Sequence, residues 1–239
     1  AQHQAVEHGV SILILSDRGV DRDNAPIPAL LAVSAVHHHL IREGTRTNVA
    51  LVVETGEPRE VHHFALLVGY GASAVNPYLA FETLADMIRV GGYLPEGMTY
   101  DQAEYNYIKA INKGLLKTMS KMGISTLQSY CGAQIFEAVG LDHEFVDHFF
   151  THTPSRIGGV GLEAIAEEAL ARHRFAYPRR HIPCQLDLSE GGLYKWRARG
   201  EYHQINPDTI TALQRAVRED SYEWFRRFTG EVNAHSRHL

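Results

Sequence analysis

Two short apolar segments, each followed by a stretch with helical periodicity, constrain the fold of this chain more than any other feature. Residues 10–15 (Val-Ser-Ile-Leu-Ile-Leu) and 48–53 (Asn-Val-Ala-Leu-Val-Val) are typical of strands that are buried on both faces of a sheet. A third short strand and three helices complete the alternation, at 74–75 and at 26–43, 57–67 and 79–90. Strands and helices that alternate at this spacing predict parallel strands joined by right-handed crossovers. The sequence therefore predicts an α/β fold.

The segment 91–99 is rich in glycine and proline and is the predicted junction between two parts of the chain. We predict an α/β domain over residues 1–90 and a helix-rich domain over residues 100–239. A helix over 100–122 opens the second part, and a fourth parallel strand is predicted at 124–128. Further helices are predicted at 131–139, 144–150, 162–175, 207–218 and 222–232, with a hairpin or irregular excursion at 193–203.

Composition excludes several classes of protein. The 23 basic and 28 acidic residues give a net charge of −5, so the chain lacks the polybasic patch that nucleic-acid binding needs. No apolar run approaches the roughly 20 residues of a membrane-spanning helix. Two cysteines cannot form a disulfide framework, which favours an intracellular compartment. The missing initiator methionine and signal sequence suggest a piece excised from a longer protein.

Polar residues follow each predicted strand. Functional residues in parallel α/β sheets lie just beyond the carboxyl ends of the strands. One interpretation is a polar small-molecule or tunnel-lining site, and the other is a network of mutually paired side chains that closes this edge of the sheet. The residues that we predict to gather there, which we call the rim, are Asp17, Arg18, Glu54, Asn76 and Gln128.

Three other features do not predict a catalytic or metal site. Successive side chains of His37-His38-His39 point about 100° apart on a helix, and neither this run nor His62-His63 has the i, i+4 spacing of a zinc motif. A site with one histidine from each of two helices stays open, but histidines with local hydrogen bonds are the better interpretation. Cys131 begins a predicted helix, where a thiol can be activated, but an inert, half-buried thiol is the better interpretation. The glycine-rich segments 69–71 and 158–161 are predicted to form turns or helix caps, not a phosphate-binding loop.

Long segments of the chain resemble the large subunit of glutamate synthase. The similarity covers nearly the whole chain, and the runs are far longer than a short motif. One departure is Leu193, where the family pattern has Glu. The runs that carry the resemblance are SDRGVDRDNAPIPALLAVSAVHHHLIREG (16–44), VVETGEPREVHHFALLVGYGASAVNPYLAFETL (52–84), YIKAINKGLLKTMSKMGISTLQSYCGAQIFEAVGL (107–141), FTHTPSRIGGVGL (150–162) and the stretch 191–206.

The resemblance places this chain in the family's central domain and the segment leading into its FMN-binding domain. It implies an α/β unit resembling a partial TIM-type barrel, followed by a mostly helical C-terminal part. The parent enzyme makes L-glutamate from L-glutamine and 2-oxoglutarate with FMN and an iron–sulfur cluster. No cofactor is expected in this fragment, and no catalytic, cofactor-binding or metal residue carries over to it.

The resulting hypothesis is a segment that structurally couples the glutaminase and FMN-binding domains of the same polypeptide and lacks both active centres. The alternative is a stand-alone flavin- or phosphate-ligand-binding domain of barrel type. No nucleic-acid or membrane partner is expected, and the isolated fragment is expected to self-associate. The expected location is the cytoplasm, or a plastid for a plant-type parent. The sequence leaves the electron donor open among NADPH, NADH and ferredoxin.

Overall fold

The structure, a computed structural model, describes residues 8–178, 192 and 196–234. The chain divides into two compact units, Ala1–Arg179 and Arg180–Leu239. The junction predicted at 91–99 lies inside the first unit, and a domain division at that point stays a prediction. The predicted excursion at 193–203 lies partly outside the described residues. Across the described ranges, no helix combines the length and apolarity needed to cross a membrane.

Three parallel strands form the sheet of the first unit. They are β1 (Ile12–Ser16), β2 (Ala50–Glu54) and β3 (Ala74–Asn76), arranged in that order. The register places Leu13 beside Leu51 and Val53 beside Val75. Each strand lies within about two residues of its predicted position, and the α/β class is confirmed. Its relationship to a TIM-type barrel stays a prediction.

Four helices follow these strands: α1 (Ala29–Arg42), α2 (Val61–Gly69), α3 (Tyr78–Val90) and α4 (Tyr100–Met122). The predicted start of α2 at residue 57 is wrong by four residues. Glu60 and His63 form a reciprocal capping box, which satisfies the first free backbone N–H groups and fixes the start at Val61. Helix α4 begins and ends as predicted, because Thr99 caps its start and Gly123 takes a left-handed conformation at its end.

The core of the first unit lies between α1 and the sheet. Val36 and Leu40 of α1 pack against Leu51 of β2, and Val33 packs against Val53. The apolar residues of α1 recur at helical spacing, so one stripe of the helix covers one face of the sheet. The opposite face of the edge strand β1 stays open, with Ile12 and Ile14 55% and 64% exposed. The prediction that the strand at 10–15 is buried on both faces is therefore wrong, because α1 covers only one face of this strand.

The segment after α4 differs from its prediction. Residues 124–128 do not form a strand, because Thr126 accepts a hydrogen bond from the Ser129 backbone and starts a short helix, α5 (Leu127–Tyr130). The helix predicted at 131–139 is also wrong. Gly132 and Gln134 adopt positive φ angles of 76° and 53°, which an α-helix cannot accommodate.

A second, two-stranded parallel sheet closes the first unit. Strands β4 (Ala138–Leu141) and β5 (Ser155–Val160) are joined by α6 (His143–Phe149), and α7 (Leu162–Ala176) follows β5. The two helices confirm the helices predicted at 144–150 and 162–175. The turn or cap predicted for 158–161 is wrong for its first three residues, which belong to β5. Gly159 in this strand packs closely against the backbone of Gly140 in β4.

The second unit contains two packed helices, α8 (Pro207–Arg218) and α9 (Tyr222–Ala234). Asn206 caps α8 by accepting hydrogen bonds from the backbone of Asp208 and Thr209, as the sequence predicts. The guanidinium of Arg215 stacks on the Trp224 ring at 4.7 Å. Both helices therefore confirm the predicted helical character of this region.

Candidate functional site

The parallel register brings three polar side chains to the carboxyl edge of the main sheet. Ser16 ends β1, Glu54 ends β2 and Asn76 ends β3, and these residues lie side by side in adjacent strands. Asp17 and Arg18 follow directly. Four of the five predicted rim residues therefore lie together, as the rule for parallel sheets requires.

Glu54 is the centre of this rim. Its carboxylate accepts hydrogen bonds from Ser16 Oγ at 2.6 Å and Arg18 Nε at 2.7 Å, and a longer one from Asn76 Nδ2 at 3.4 Å. These bonds favour the ionised form, so the hydroxyl of Ser16 first, and then Arg18, lower the pKa of Glu54. One carboxylate thus links the ends of all three strands.

Arg18 extends the network onto α3. Its guanidinium lies 4.2 Å above the Tyr78 ring and 3.4 Å from the carboxylate of Glu82. The hydrogen bond to Glu54 is the main reason that the pKa of Arg18 is raised. The side chain is about half exposed, so its free edge remains open to a partner.

Asp17 binds the loop that follows β2. It accepts hydrogen bonds from Thr55 Oγ1 at 2.5 Å and from the Gly56 backbone at 3.2 Å. Burial, followed by the neighbouring Asp17 carboxylate, raises the pKa of Tyr78 to about 12. The Tyr78 phenol therefore remains protonated at neutral pH and serves as a hydrogen-bond donor.

Gln128 does not belong to this network. It lies exposed on α5, and none of the hydrogen bonds that join the other four rim residues includes it. Its predicted position depended on a strand at 124–128, which the structure replaces with a helix. Ser16, Thr55 and Tyr78 belong to the network but were not among the predicted rim residues. Ser16 and Thr55 occur at the same strand ends, which is the signal that could have identified them.

Cys131 is a half-buried hydrogen-bond donor at the end of a helix. It follows the last residue of α5, and its Sγ donates to the Val68 carbonyl at 3.0 Å. Burial raises the pKa of the Cys131 thiol. The helix start predicted at Cys131 is therefore wrong, and its surroundings favour the unreactive thiol.

Comparison with known proteins assigns the family. Residues 1–142 match the family described as glutamate synthase central domain. The chain belongs to this family. It is 50% identical over 226 residues to the glutamate synthase [NADPH] large chain of Bacillus subtilis. The matched region covers 95% of this chain and 14% of that protein.

Other glutamate synthases match a comparable segment. Glutamate synthase [NADH] of Schizosaccharomyces pombe is 46% identical over 94% of this chain and 11% of that protein. Ferredoxin-dependent glutamate synthase of Pyropia yezoensis is 43% identical over 94% of this chain and 15% of its own length. The chain thus spans about one ninth to one seventh of the length of these relatives.

The residues of this glutamate synthase segment do not fit the iron–sulfur cluster that the family resemblance implies for the parent enzyme. Such a cluster is held by three or four thiolates, whereas the sequence contains two cysteines. Among the described residues, no group of three His, Cys, Asp or Glu side chains could hold a metal ion. Gly159, a candidate for a phosphate loop, instead packs against the backbone of Gly140.

The ionisation of Glu54 predicts a pH-dependent contribution to stability. A carboxyl group whose pKa falls on folding stabilises the fold above its unfolded pKa, about 4.5, and loses this effect as the pH falls through the folded pKa. Glu54→Gln is therefore expected to lower the urea midpoint at neutral pH, with the difference from the original protein vanishing in acid. Urea titrations from about pH 7 to pH 3 measure this, with Glu96→Gln as the control for a lost surface carboxylate. A difference that grows in acid would contradict it.

Proposed function

We propose that this chain is the central segment of a glutamate synthase large chain and that it couples the glutaminase and FMN-binding parts of that polypeptide structurally. In this proposal neither active centre lies within the segment. The rim supports this coupling role. Arg18 donates a hydrogen bond to Glu54 and Thr55 donates one to Asp17, so these side chains fix the ends of the strands. Such a network fixes the positions of the surfaces around it.

The observation that carries the proposal is the open apolar face of β1. Ile12 and Ile14 are more than half exposed on a strand of the main sheet, in a chain that spans about one ninth to one seventh of the length of its relatives. Exposed apolar surface next to a polar edge is typical of a surface that another part of a protein covers. We infer that neighbouring parts of the polypeptide pack there, and that the isolated fragment self-associates through the same face.

Ammonia chemistry explains why such a segment is needed. Ammonia released from glutamine would be protonated or lost if it reached bulk solvent. A segment that holds the two catalytic parts in register keeps the transfer internal, which replaces an encounter in solution with a fixed geometry. The proposed location follows that of the parent enzyme, in the cytoplasm or a plastid.

The similarity to relatives with different electron donors bears on where the reductant is recognised. Relatives named for NADPH, NADH and ferredoxin are 50%, 46% and 43% identical to this chain over nearly all of its length. A segment that determined the electron donor would be expected to diverge among them. We therefore propose that electron-donor recognition lies outside these 239 residues.

Substitution of Arg18 in a full-length glutamate synthase large chain tests the coupling role. Arg18→Ala removes a half-exposed guanidinium at the rim while leaving both catalytic parts untouched. We expect glutamate formed per glutamine hydrolysed to fall severalfold, because the domains are less well aligned and ammonia escapes. Glutamine hydrolysis and glutamate production are measured in the same reaction, with free ammonia determined in parallel.

Arg89→Ala is the matched control, since Arg89 is also an exposed arginine paired with a carboxylate, that of Asp86 on α3. It is expected to preserve the ratio. Unchanged coupling in Arg18→Ala, with normal thermal unfolding, would overturn the role given to the rim. Quenching of FMN fluorescence by the isolated chain would instead support the alternative of a flavin-binding domain.

A further inference from the structure

A cleft of about 500 Å³ lies on the side of α1 away from the rim. Its walls are the C-terminal half of α1, the end of α2, the loop 132–136 and the segment 147–153. A volume of this size lies within the range of small-molecule sites. All of these walls belong to the first unit.

His38 contributes a buried nitrogen without a partner. Its Nε2 atom is shielded from solvent and makes no hydrogen bond with any of the described residues. Buried polar atoms in native proteins are almost always satisfied, because leaving one without a hydrogen bond is costly in free energy. Because His38 lines the cleft, a turn of its imidazole would bring Nε2 to a ligand there, which would supply the missing partner.

His37 beside it is held in a defined protonation state. Its Nδ1 accepts a hydrogen bond from Arg46 Nε at 2.8 Å, and burial together with Arg46 lowers its pKa to about 4. The imidazole is therefore neutral at physiological pH with its proton on Nε2. The rings of His37 and His38 lie 5.1 Å apart, so the cleft contains a fixed donor next to an unsatisfied nitrogen.

The charges around the cleft favour a negative ligand. After burial, Arg42 and His152 are the groups that lower the pKa of His38, which means that its surroundings are positive. His148 also lines the cleft. The acidic side chain in the lining of the cleft is that of Asp147, which is exposed at the margin. An anion near His38 and Arg42 would relieve the repulsion between the Arg42 guanidinium and the protonated form of His38.

Backbone strain and apolar surface are two further features of the cleft that are typical of ligand sites. Gln134 and His152, on opposite walls of the cleft, adopt positive φ angles of 53° and 66°. Such conformations cost free energy in residues other than glycine and cluster at ligand sites. Ile41, Ile135 and Phe136 form an apolar wall, where the Phe136 ring stacks on Tyr70 at 5.6 Å.

We propose that this cleft binds a small organic anion. Its carboxylate or phosphate group accepts hydrogen bonds from His37, His38 and Arg42, and its apolar body packs against Ile135 and Phe136. Binding of the anion stabilises the protonated form of His38. The affinity therefore rises as the pH falls, by up to about tenfold per pH unit above the pKa of the free imidazole.

Benzoate is a suitable probe, because it joins a carboxylate to a flat apolar ring. Benzamide has the same shape without the charge. We expect benzoate to bind to the complete 239-residue chain, and to bind more tightly at pH 6 than at pH 7.5, whereas benzamide binds at least tenfold more weakly. Calorimetry gives the affinities, and the histidine Cε1–H resonances report the rise in the pKa of His38 on binding.

His38→Gln removes the titrating nitrogen and is expected to weaken benzoate binding about tenfold or more and to make it less dependent on pH. His39→Gln is the matched control on the same helix, because His39 lines a different groove. Phosphate that displaces benzoate would identify a phosphate-type ligand, and benzoate that resists displacement would identify a carboxylate. Equal binding of benzoate and benzamide, equal binding by both variants, or no binding of benzoate or phosphate near 10 mM would overturn the site.

Discussion

Leu51→Ala is expected to lower the free energy of unfolding by about 2–5 kcal/mol. Leu51 lies in the central strand β2 with no exposed surface and packs against Val36, Leu40 and Val49. Val36 and Leu40 belong to α1, and Val49 directly precedes β2. These neighbours are held by their own elements, so they cannot move together to fill the space left by the side chain. The lost contacts and the residual cavity both contribute to this cost.

Ile14→Ala is the matched control for this prediction. Ile14 lies on the neighbouring strand β1 and is 64% exposed, so its truncation is expected to change stability by about 0.5 kcal/mol or less. Urea unfolding followed by circular dichroism measures both variants under one set of conditions. If Ile14→Ala were as costly as Leu51→Ala at protein concentrations where the chain is monomeric, the open face of the sheet would be packed within the chain itself, and the docking surface proposed for neighbouring domains would have to be abandoned.

The elements that sequence predicts well are those whose signal is local. Strands β1 and β2 are both apolar runs, although only one face of β1 is covered in this chain, and α1 shows one apolar stripe. Strand β5 carries no such signal. Its sequence, Ser-Arg-Ile-Gly-Gly-Val, contains two glycines, which disfavour strands, and it is extended only because it pairs with β4.

The same distinction explains the rim. The carboxyl ends of adjacent parallel strands must meet, so Asp17, Arg18, Glu54 and Asn76 could be placed together from their positions alone. Whether these groups face a ligand or one another depends on side-chain packing, such as the stacking of Arg18 on Tyr78. Gln128 was misplaced because the capping side chain of Thr126 competes with extended structure, which periodicity does not detect.

Arg46 illustrates a site that sequence reasoning could not find. Its guanidinium is partly buried, forms no ion pair with a carboxylate among the described residues, and donates instead to His37 and to the carbonyl groups of Val49 and Gly71. Those acceptors come from a helix, a strand end and a loop. No spacing along the chain signals them, so the role of the histidines became visible only with the fold.

Gly159→Ala is expected to destabilise the first unit by about 3 kcal/mol or more, because it forces two backbones apart. A methyl group on Gly159 would overlap the carbonyl oxygen of Gly140 and lie 2.6 Å from its carbonyl carbon. A flexible side chain could turn away from such a contact, but the backbone of β4 cannot move without breaking its pairing with β5. Gly140 itself has a φ of 75°, which further restricts any adjustment.

Gly158→Ala is the matched control, one residue earlier in the same strand. Its added methyl group would lie 3.5 Å from the His143 ring, an ordinary contact, and alanine is less unfavourable than glycine in a strand. We therefore expect a change of less than about 1 kcal/mol. Urea unfolding measures the loss, and hydrogen exchange locates it, with faster exchange expected in β4 and β5. Equal stability of the two variants would mean that the strands are not in the close register described here, since only Gly159 faces the opposing backbone.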